Sequence, residues 1–423
     1  MTNPVSALKV LIVAENASSR FGGEAFLPLK YFQILKRRGY DAKLITHVRN
    51  QDDLDVFFED YTDDIQYVPD TVWHRIAWKC CSIFPAKVSE IVSDGLMKLA
   101  GAHAYSQLIR RLVREDKINL IHQPTPVSPK SPSAMHRFGL PLIIGPMNGG
   151  MNYPQGYEDY EGFLTRSFVK LARQSSVLAN LIIPGKRRAK VLMVANARTR
   201  NALPFSDHSN VIEIVENGVD ISTWKQPSSQ KKLRSAFGPF QLIFIGRLIP
   251  LKAVDFTIRA VQLARKNGAD IRFTIVGDGP DREKLEKLIK FCGLEDFVVF
   301  HGFLPQAECA KFLSQSDALI LNSLHECGGA VVLEAMSMGL PVIAADWGGP
   351  ADYLDEGSGI LVPPSPREGF AERLSAAILK LADDPELCSS MGQAGLAKIL
   401  EEYDWERKVT QMLEIYDQAL KTH

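Results

Sequence analysis

The sequence predicts an α/β protein made of two doubly wound, Rossmann-like domains in series, ended by a helix long enough to return to the first. Three observations lead there. The chain has 423 residues, too many for one hydrophobic core, so two to three domains are expected. It contains compact apolar runs of strand length, such as LKVLIVA at Leu8–Ala14 and QLIFI at Gln241–Ile245. These are continuous rather than alternating, the pattern of parallel strands buried on both faces. Between them lie stretches with apolar residues at helical spacing, several ended by glycine, which gives the βαβα order of a parallel sheet.

Composition narrows the function classes. Hydrophobic residues make up 46% and charged residues 23%, as in ordinary globular proteins. Lys+Arg and Asp+Glu each number 49, so the basic excess of a dedicated nucleic-acid binder is missing. Basic clusters at Lys36-Arg37-Arg38 and Lys186-Arg187-Arg188 read as solvated helix faces, or together as contacts with anionic lipid. Each residue there would be worth about 1 kcal/mol. The six cysteines show no C-x-x-C and no zinc-type spacing. Reduced thiols in a cytoplasmic protein are therefore expected. The N-terminus lacks a basic n-region, and no apolar run approaches the ~20 residues of a membrane span.

In the first domain, taken as residues 1–222, Leu8–Ala14 is the opening strand. A polar loop through Gly22 and Gly23 leads to a helix ending near Arg38, and Ala42–Thr46 is the next strand. The first turn has no G-x-G-x-x-G, which disfavours a dinucleotide. Residues 50–115 read as helical with irregular joins. Ile118–His122 and Leu140–Gly145 are strands, Glu161–Leu178 a helix, and Val191–Ala195 and Val211–Val215 the closing strands. Parallel sheets bind ligands beyond the carboxyl ends of their strands. By that rule Gly22, Gly23, His122, Asn148, Gly149 and Gly150 face one crevice, the last three as candidate acceptor contacts.

The second domain, residues 223–402, repeats the architecture but not the sequence. Strands are expected at Gln241–Ile245, Arg272–Val276, Val298–Phe300, Ala318–Asn322 and Pro341–Ala344. Helices are expected at Val254–Asn267, Asp281–Cys292, Gln306–Gln315, Gly369–Ala382 and Pro385–Leu400. Residues 403–423 form the returning helix.

Four successive loops of this sheet carry ligand-competent residues. Gly246-Arg247 follows the first strand and Lys252 comes five residues later, a two-point clamp for a diphosphate or a plain surface pair. Gly277-Asp278 opens a tight turn that lets a ligand approach backbone, or is an ordinary βα turn. Phe303 and Leu304 follow the third strand and would border a base. After the fourth come Glu326 and Glu334, eight positions apart. Between them Cys327, Gly328, Gly329, Ala330 and Val331 start a helix whose first N–H groups have no internal partner. Phosphate on the N–H groups and sugar hydroxyls on the carboxylates suit a nucleotide-sugar. The alternative is a helix-dipole partner and a solvated charge.

The motifs GRLIPLK, VGDGP, HGFLP and ECGGAVVLEAMSMGLPVIA resemble those of retaining, GT-B fold glycosyltransferases of family 4 (glycosyl transferases group 1). GGEAF and ENGVD extend the likeness weakly into the first half. The resemblance implies two Rossmann-like domains facing across a cleft, whose closure excludes water. It implies a nucleotide-diphosphate sugar as co-substrate, with no cofactor or metal required. Arg247 and Lys252 would bind the diphosphate, Glu334 the ribose hydroxyls, and Glu326 the transferred sugar. Gly23 would lie by the diphosphate, and His122 would stand near the reacting sugar unless it is a buried strand-end histidine.

Two departures stand out: Ala253 where glycine is usual, and Cys327-Gly328-Gly329 where many members carry phenylalanine and one glycine. Asp53-Leu54-Asp55 spells a D-x-D metal motif in letters only. The implied activity is transfer of a hexosyl unit to a glycan, lipid-linked or other hydroxyl acceptor with retention. The expected setting is cytoplasmic envelope or exopolysaccharide synthesis, with peripheral contact at the inner membrane face and no nucleic-acid partner. The rival readings are a nucleotide-sugar epimerase and a non-catalytic nucleotide-sugar-binding subunit.

Overall fold

Continuous apolar runs become two parallel sheets in the structure, a computed structural model describing residues 8–18, 23–70, 103–160, 174–205, 210–224 and 238–421. The first sheet has seven strands: β1 Lys9–Val13, β2 Asp41–His47, β3 Ile65–Val68, β4 Leu120–Gln123, β5 Leu142–Met147, β6 Val191–Val194 and β7 Val211–Glu213. Their order is β3-β2-β1-β4-β5-β6-β7, and every pairing is parallel. The reversal between β1 and β4 is the topological switch point of a doubly wound sheet. Leu11 and Val13 of β1 point into one core cluster, with Ile121, Ile144, Leu192 and Ile109.

The second sheet has six strands: β8 Phe240–Ile245, β9 Ile271–Val276, β10 Val298–Gly302, β11 Ala318–Leu321, β12 Val342–Ala345 and β13 Gly359–Val362. Their order is β10-β9-β8-β11-β12-β13, again parallel throughout. The helices Val254–Lys266, Arg282–Cys292, Gln306–Ser314 and Ala330–Ser337 alternate with these strands. The sequence expectation thus holds in both halves, with two corrections. The segment 50–115 is not all helical, because Ile65–Val68 pairs with β2. The second sheet does not end at β12, because Gly359–Val362 pairs with it. Both missed strands are four-residue edge strands, too short to show a period. The expected helix Glu161–Leu178 is seen over 174–182, its first part lying outside the described residues.

The chain divides into two compact units, each formed from several segments. One holds residues 1–150, 162–216 and 409–423, the other 151–161 and 217–408. The last helix, Trp405–Lys421, therefore ends in the first unit. There Thr410 accepts a hydrogen bond from Arg38 at 3.0 Å. The Glu216-Asn217 step passes between units, and each side chain is tied within its own. Glu216 accepts from Asn148 Nδ2 at 2.8 Å, and Asn217 donates to the Tyr353 hydroxyl at 2.9 Å. Among the described residues no helix is long and apolar enough to cross a membrane.

Candidate functional site

In the second unit the carboxyl-end loops are hydrogen-bonded to one another. Gly246 N donates to Val276 O at 3.0 Å, Leu248 N to Asp278 O at 2.9 Å, and Gly277 N to Gly302 O at 2.7 Å. This close approach explains Gly277. Its φ is +135°, and a Cβ there would lie 1.9 Å from the Gly246 carbonyl oxygen. Leu324 N donates to Leu251 O at 2.8 Å, tying the loop after β11 to the turn Pro250–Lys252. Beneath it, fully buried Asn322 donates to Ala253 O at 2.7 Å and accepts from Thr257 Oγ1 at 2.6 Å. Sequence reading missed this pair, because nothing local distinguishes a strand-end asparagine from a solvated one.

Ala253 sits at φ +51°, ψ +35°, the left-handed region that costs an L-residue roughly 1–2 kcal/mol. That conformation accounts for glycine being usual there. Alanine offsets part of the strain by burying its methyl group and by restricting the unfolded chain.

The structure brings Gly246, Arg247, Lys252, Gly277, Asp278, Glu326 and the helix start Ala330–Ser337 to this one sheet edge. Lys252 Nζ is paired with Glu326 Oε2, joining residues 74 positions apart. Arg247 is exposed and has no side-chain partner among the described residues. Asp278 is taken up by its own turn, accepting from Gly279 N at 2.7 Å and from Arg282 Nη1 at 3.5 Å. Gly329 starts the Ala330–Ser337 helix at φ +87°, with no side-chain cap. Cys327, Gly328, Gly329, Ala330 and Val331 are half-buried, so the helix-start N–H groups remain approachable.

Glu334 is half-buried, with no hydrogen-bond or ion-pair partner among the described residues. Desolvation by the surrounding protein raises its carboxyl to about 7. Its charge reaches Cys309, whose thiol is pushed up to about 11, first by burial and then by Glu334. The Cys309 thiol donates to Leu304 O at 3.5 Å. Cys309 thus links the neighbourhood of Glu334 to the Phe303-Leu304 loop, where Phe303 is 79% exposed.

A glycine pair after β12, absent from the sequence expectations, shapes the Glu326 loop. Gly349 N donates to Glu326 O at 2.8 Å. A Cβ on Gly349 would lie 2.2 Å from Gly328 O and 2.3 Å from Cys327 O. Backbone cannot yield like a flexible side chain, so Gly349→Ala is expected to destabilise the protein by about 1–3 kcal/mol. It should also displace Cys327 and Gly328. A thermal melt indistinguishable from the parent would refute the tight packing.

In the first unit the loops after β1, β4 and β5 are likewise joined. Val127 N donates to Glu24 Oε1 at 3.0 Å, and Asn148 N to Val127 O at 2.9 Å. Gly23 is exposed, with open space around its α-carbon, at φ +68°; Gly22 lies outside the described residues. Asn148 is buried and bonded to Glu216, and Thr199 bonds both Gly149 N and Gly149 O at 3.1 and 3.2 Å. Only Gly150 of the three is exposed.

His122 is fully buried. Its Nε2–H donates to Gly145 O at 2.7 Å, and its Nδ1 accepts from the Tyr416 hydroxyl at 2.7 Å. Burial lowers it to about 4, so the ring is neutral. As placed it is a buried strand-end histidine with no nitrogen free for a substrate. The D-x-D carboxylates are similarly occupied: Asp53 accepts from Ser18 Oγ, and Asp55 from Tyr67, both at 2.6 Å. Among the described residues no group of three or more His, Cys, Asp or Glu is placed to hold a metal ion.

Residues 225–398 match the family described as Glycosyl transferases group 1. Similar curated proteins include the alpha-D-kanosaminyltransferase of Streptomyces kanamyceticus, 34% identical over 41% of this chain and 45% of that one. The 2-deoxystreptamine glucosyltransferase of the same organism is 29% identical over 55% of this chain and 62% of that one. The chain thus spans about half to three fifths of these relatives' length. Among solved structures, HepE of Anabaena in complex with UDP aligns with a TM-score of 0.68 at 18% identity, covering 97% of this chain and 100% of that one. Sucrose-phosphate synthase of Thermosynechococcus elongatus aligns at 0.64 and 18% identity, covering 98% and 100%. At such identities the likeness is one of fold, and it is the GT-B architecture of two Rossmann-like domains.

Proposed function

We propose, from a chain whose residues 225–398 match the glycosyl transferases group 1 family, that it transfers a hexosyl unit from a nucleotide-diphosphate sugar to a hydroxyl acceptor with retention. The observation that carries this reading is the shared edge of the second sheet. It holds Arg247 and Lys252, an uncapped helix start, and in Glu334 a desolvated carboxylate without a partner among the described residues.

On this reading Arg247, Lys252 and the helix-start N–H groups take the diphosphate, and Glu326 takes a hydroxyl of the sugar. Glu334 accepts from the ribose hydroxyls, beside Leu304 and Phe303 at the base. The bond between the anomeric carbon and the diphosphate oxygen breaks, and negative charge grows on that oxygen. The acceptor oxygen bonds to the same face of the carbon, and its proton passes to the leaving phosphate. Preorganised cations and N–H donors stabilise the developing charge. No protein base is needed, which agrees with a His122 sealed in the core. The UDP bound by HepE of Anabaena supports a nucleoside diphosphate ligand, and the similar 2-deoxystreptamine glucosyltransferase supports hexosyl transfer.

The glycan or lipid-linked acceptor, the envelope or exopolysaccharide role and a cytoplasmic site of action belong to the same reading. Peripheral membrane contact is supported by exposed Val177, Leu178, Leu181 and Ile182, followed closely by exposed Arg187 and Arg188.

The test is a screen of UDP- and GDP-hexoses, with and without hydroxyl acceptors, for the purified protein and Arg247→Ala. Arg247→Ala is expected to lower transfer at least about tenfold, with the fold retained. Full transfer by Arg247→Ala would sink the clamp assignment. A new sugar stereoisomer formed without acceptor would favour the epimerase, and donor binding without turnover would favour a binding subunit.

A further inference from the structure

The loop that holds Glu326 is braced by a distant part of the chain. Residues 151–160 follow the Asn148–Gly150 loop in sequence yet pack within the second unit. At one end, Trp347 Nε1 donates to Asn152 O at 2.9 Å. The ring of Tyr153 lies 4.9 Å from that of His325, the neighbour of Glu326. Gly348 separates buried Met151 from the loop. A Cβ on Gly348 would lie 2.3 Å from Glu326 O and 2.7 Å from Met151 Sδ, so the three are stacked without slack.

At the other end the segment is clamped. Arg367 bonds both carboxylate oxygens of Asp159 at 3.0 Å and lies over the rings of Tyr157 and Tyr160 at 5.3 and 5.4 Å. The Tyr157 hydroxyl donates to Pro364 O at 3.0 Å, and Ser365 Oγ to Gln155 O at 2.8 Å. The fully buried Tyr157 ring meets Phe256 at 6.0 Å. Phe256 sits in the first turn of the helix that follows Lys252. The segment therefore touches the immediate surroundings of both partners of the Lys252–Glu326 pair, and none of these contacts is to Glu334 or Leu304.

We propose that residues 151–160 form a strap that sets the position of the sugar-and-diphosphate end of the donor site, with Trp347 and Arg367 as positioning residues. The proposal rests on the donor-site reading above and deepens it. Because the strap is continuous with the Asn148–Gly150 loop, one stretch of backbone serves both the candidate acceptor loop and the donor loop. Among the described residues Arg367 bonds the strap and not the Glu326 loop, so an effect of its removal on turnover reports positioning rather than contact.

The experiment compares Trp347→Phe, which keeps a ring and removes the indole donor, with Arg367→Ala. Two readouts are taken on the full chain: turnover of UDP- and GDP-sugars, and calorimetric binding of UMP and GMP as probes of the nucleoside end. The expected result is a fall in kcat/KM of about tenfold for both variants, below the ~10² that a 1 Å misplacement causes. Nucleoside monophosphate binding should stay within about twofold, because the contacts altered are with the strap and not with Glu334 or Leu304. A general loss of structure would instead weaken both readouts together, and thermal melts identify it. Wild-type turnover with unchanged turnover in both variants overturns the strap alone. Neither turnover nor nucleotide binding by the wild-type protein overturns the donor-site reading and the strap with it.

Discussion

Replacing Lys252 by methionine is expected to lower hexosyl transfer by about 10²–10³-fold, the usual effect of deleting one preorganised donor to a developing anion. The side chain is mostly covered, 15% exposed, and its partner Glu326 is 18% exposed. The pair lies between two regimes. Exposed ion pairs contribute ~0–1 kcal/mol, whereas breaking a fully buried one costs ~3–5 kcal/mol. A loss of about 1–3 kcal/mol is expected here, and methionine moderates it by keeping the aliphatic stem packed.

Arg247 differs, because it is exposed and makes no ion pair among the described residues. Its removal should leave stability within about 0.5 kcal/mol while still lowering transfer. The contrast separates the two causes of lost activity. Initial rates at saturating donor, beside thermal melts of Lys252→Met and Arg247→Ala, make the measurement. A Lys252→Met enzyme within threefold of the parent rate would remove Lys252 from the diphosphate clamp.

What was legible in the sequence follows from what is local. Strands such as β1 and β8 show as runs of apolar residues because both faces of a parallel sheet are buried. The four candidate loops of the second sheet could be grouped because chain order fixes which end of each strand they leave. The edge strands β3 and β13 have only four residues each, so no window contains their period. The pairing of His122 with Tyr416 spans 294 residues, and nothing near either position announces it. For the same reason a crevice histidine and a core histidine look alike in a linear sequence, and here the distant tyrosine seals the ring. The strap was invisible too. Residues 151–160 carry no regular period, and their partners Trp347, Ser365 and Arg367 lie about 200 positions away. Asn322 and Gly349 act through backbone atoms of other loops, which leave no mark of their own on side-chain patterns.

Lowering the pH through about 7 is expected to weaken nucleotide binding, and Glu334→Gln is expected to remove that dependence while stabilising the ligand-free protein. The two effects have one cause. Burial raises the Glu334 carboxyl from 4.5 to about 7 in the fold. Below the unfolded value both states carry the proton, and the group makes no difference. Between the two values the unfolded chain has released its proton and the folded protein has not, so stability falls as pH rises. At about 1.36 kcal/mol per unit the accumulated loss is on the order of 3 kcal/mol, complete above pH 7. Glutamine carries no charge to desolvate, so the variant should melt higher than the parent at pH 8 and close to it at pH 4.5.

Binding runs the other way. Ribose hydroxyls donate, and only the ionised carboxylate offers both oxygens as acceptors. Nucleotide affinity should therefore rise with pH until Glu334 is ionised, then level off. The glutamine variant should bind about tenfold or more weakly above pH 7, the loss of hydrogen bonds to a charged group, with a flat profile. Calorimetry with UDP- and GDP-sugars, whose diester phosphates stay ionised from pH 5.5 to 8.5, paired with melts over the same range, reads both arms. A pH-independent parent affinity, or glutamine binding as tightly as glutamate, would take Glu334 out of the nucleoside contact. A glutamine variant that melts lower at pH 8 would mean the carboxylate is held by a protein partner after all.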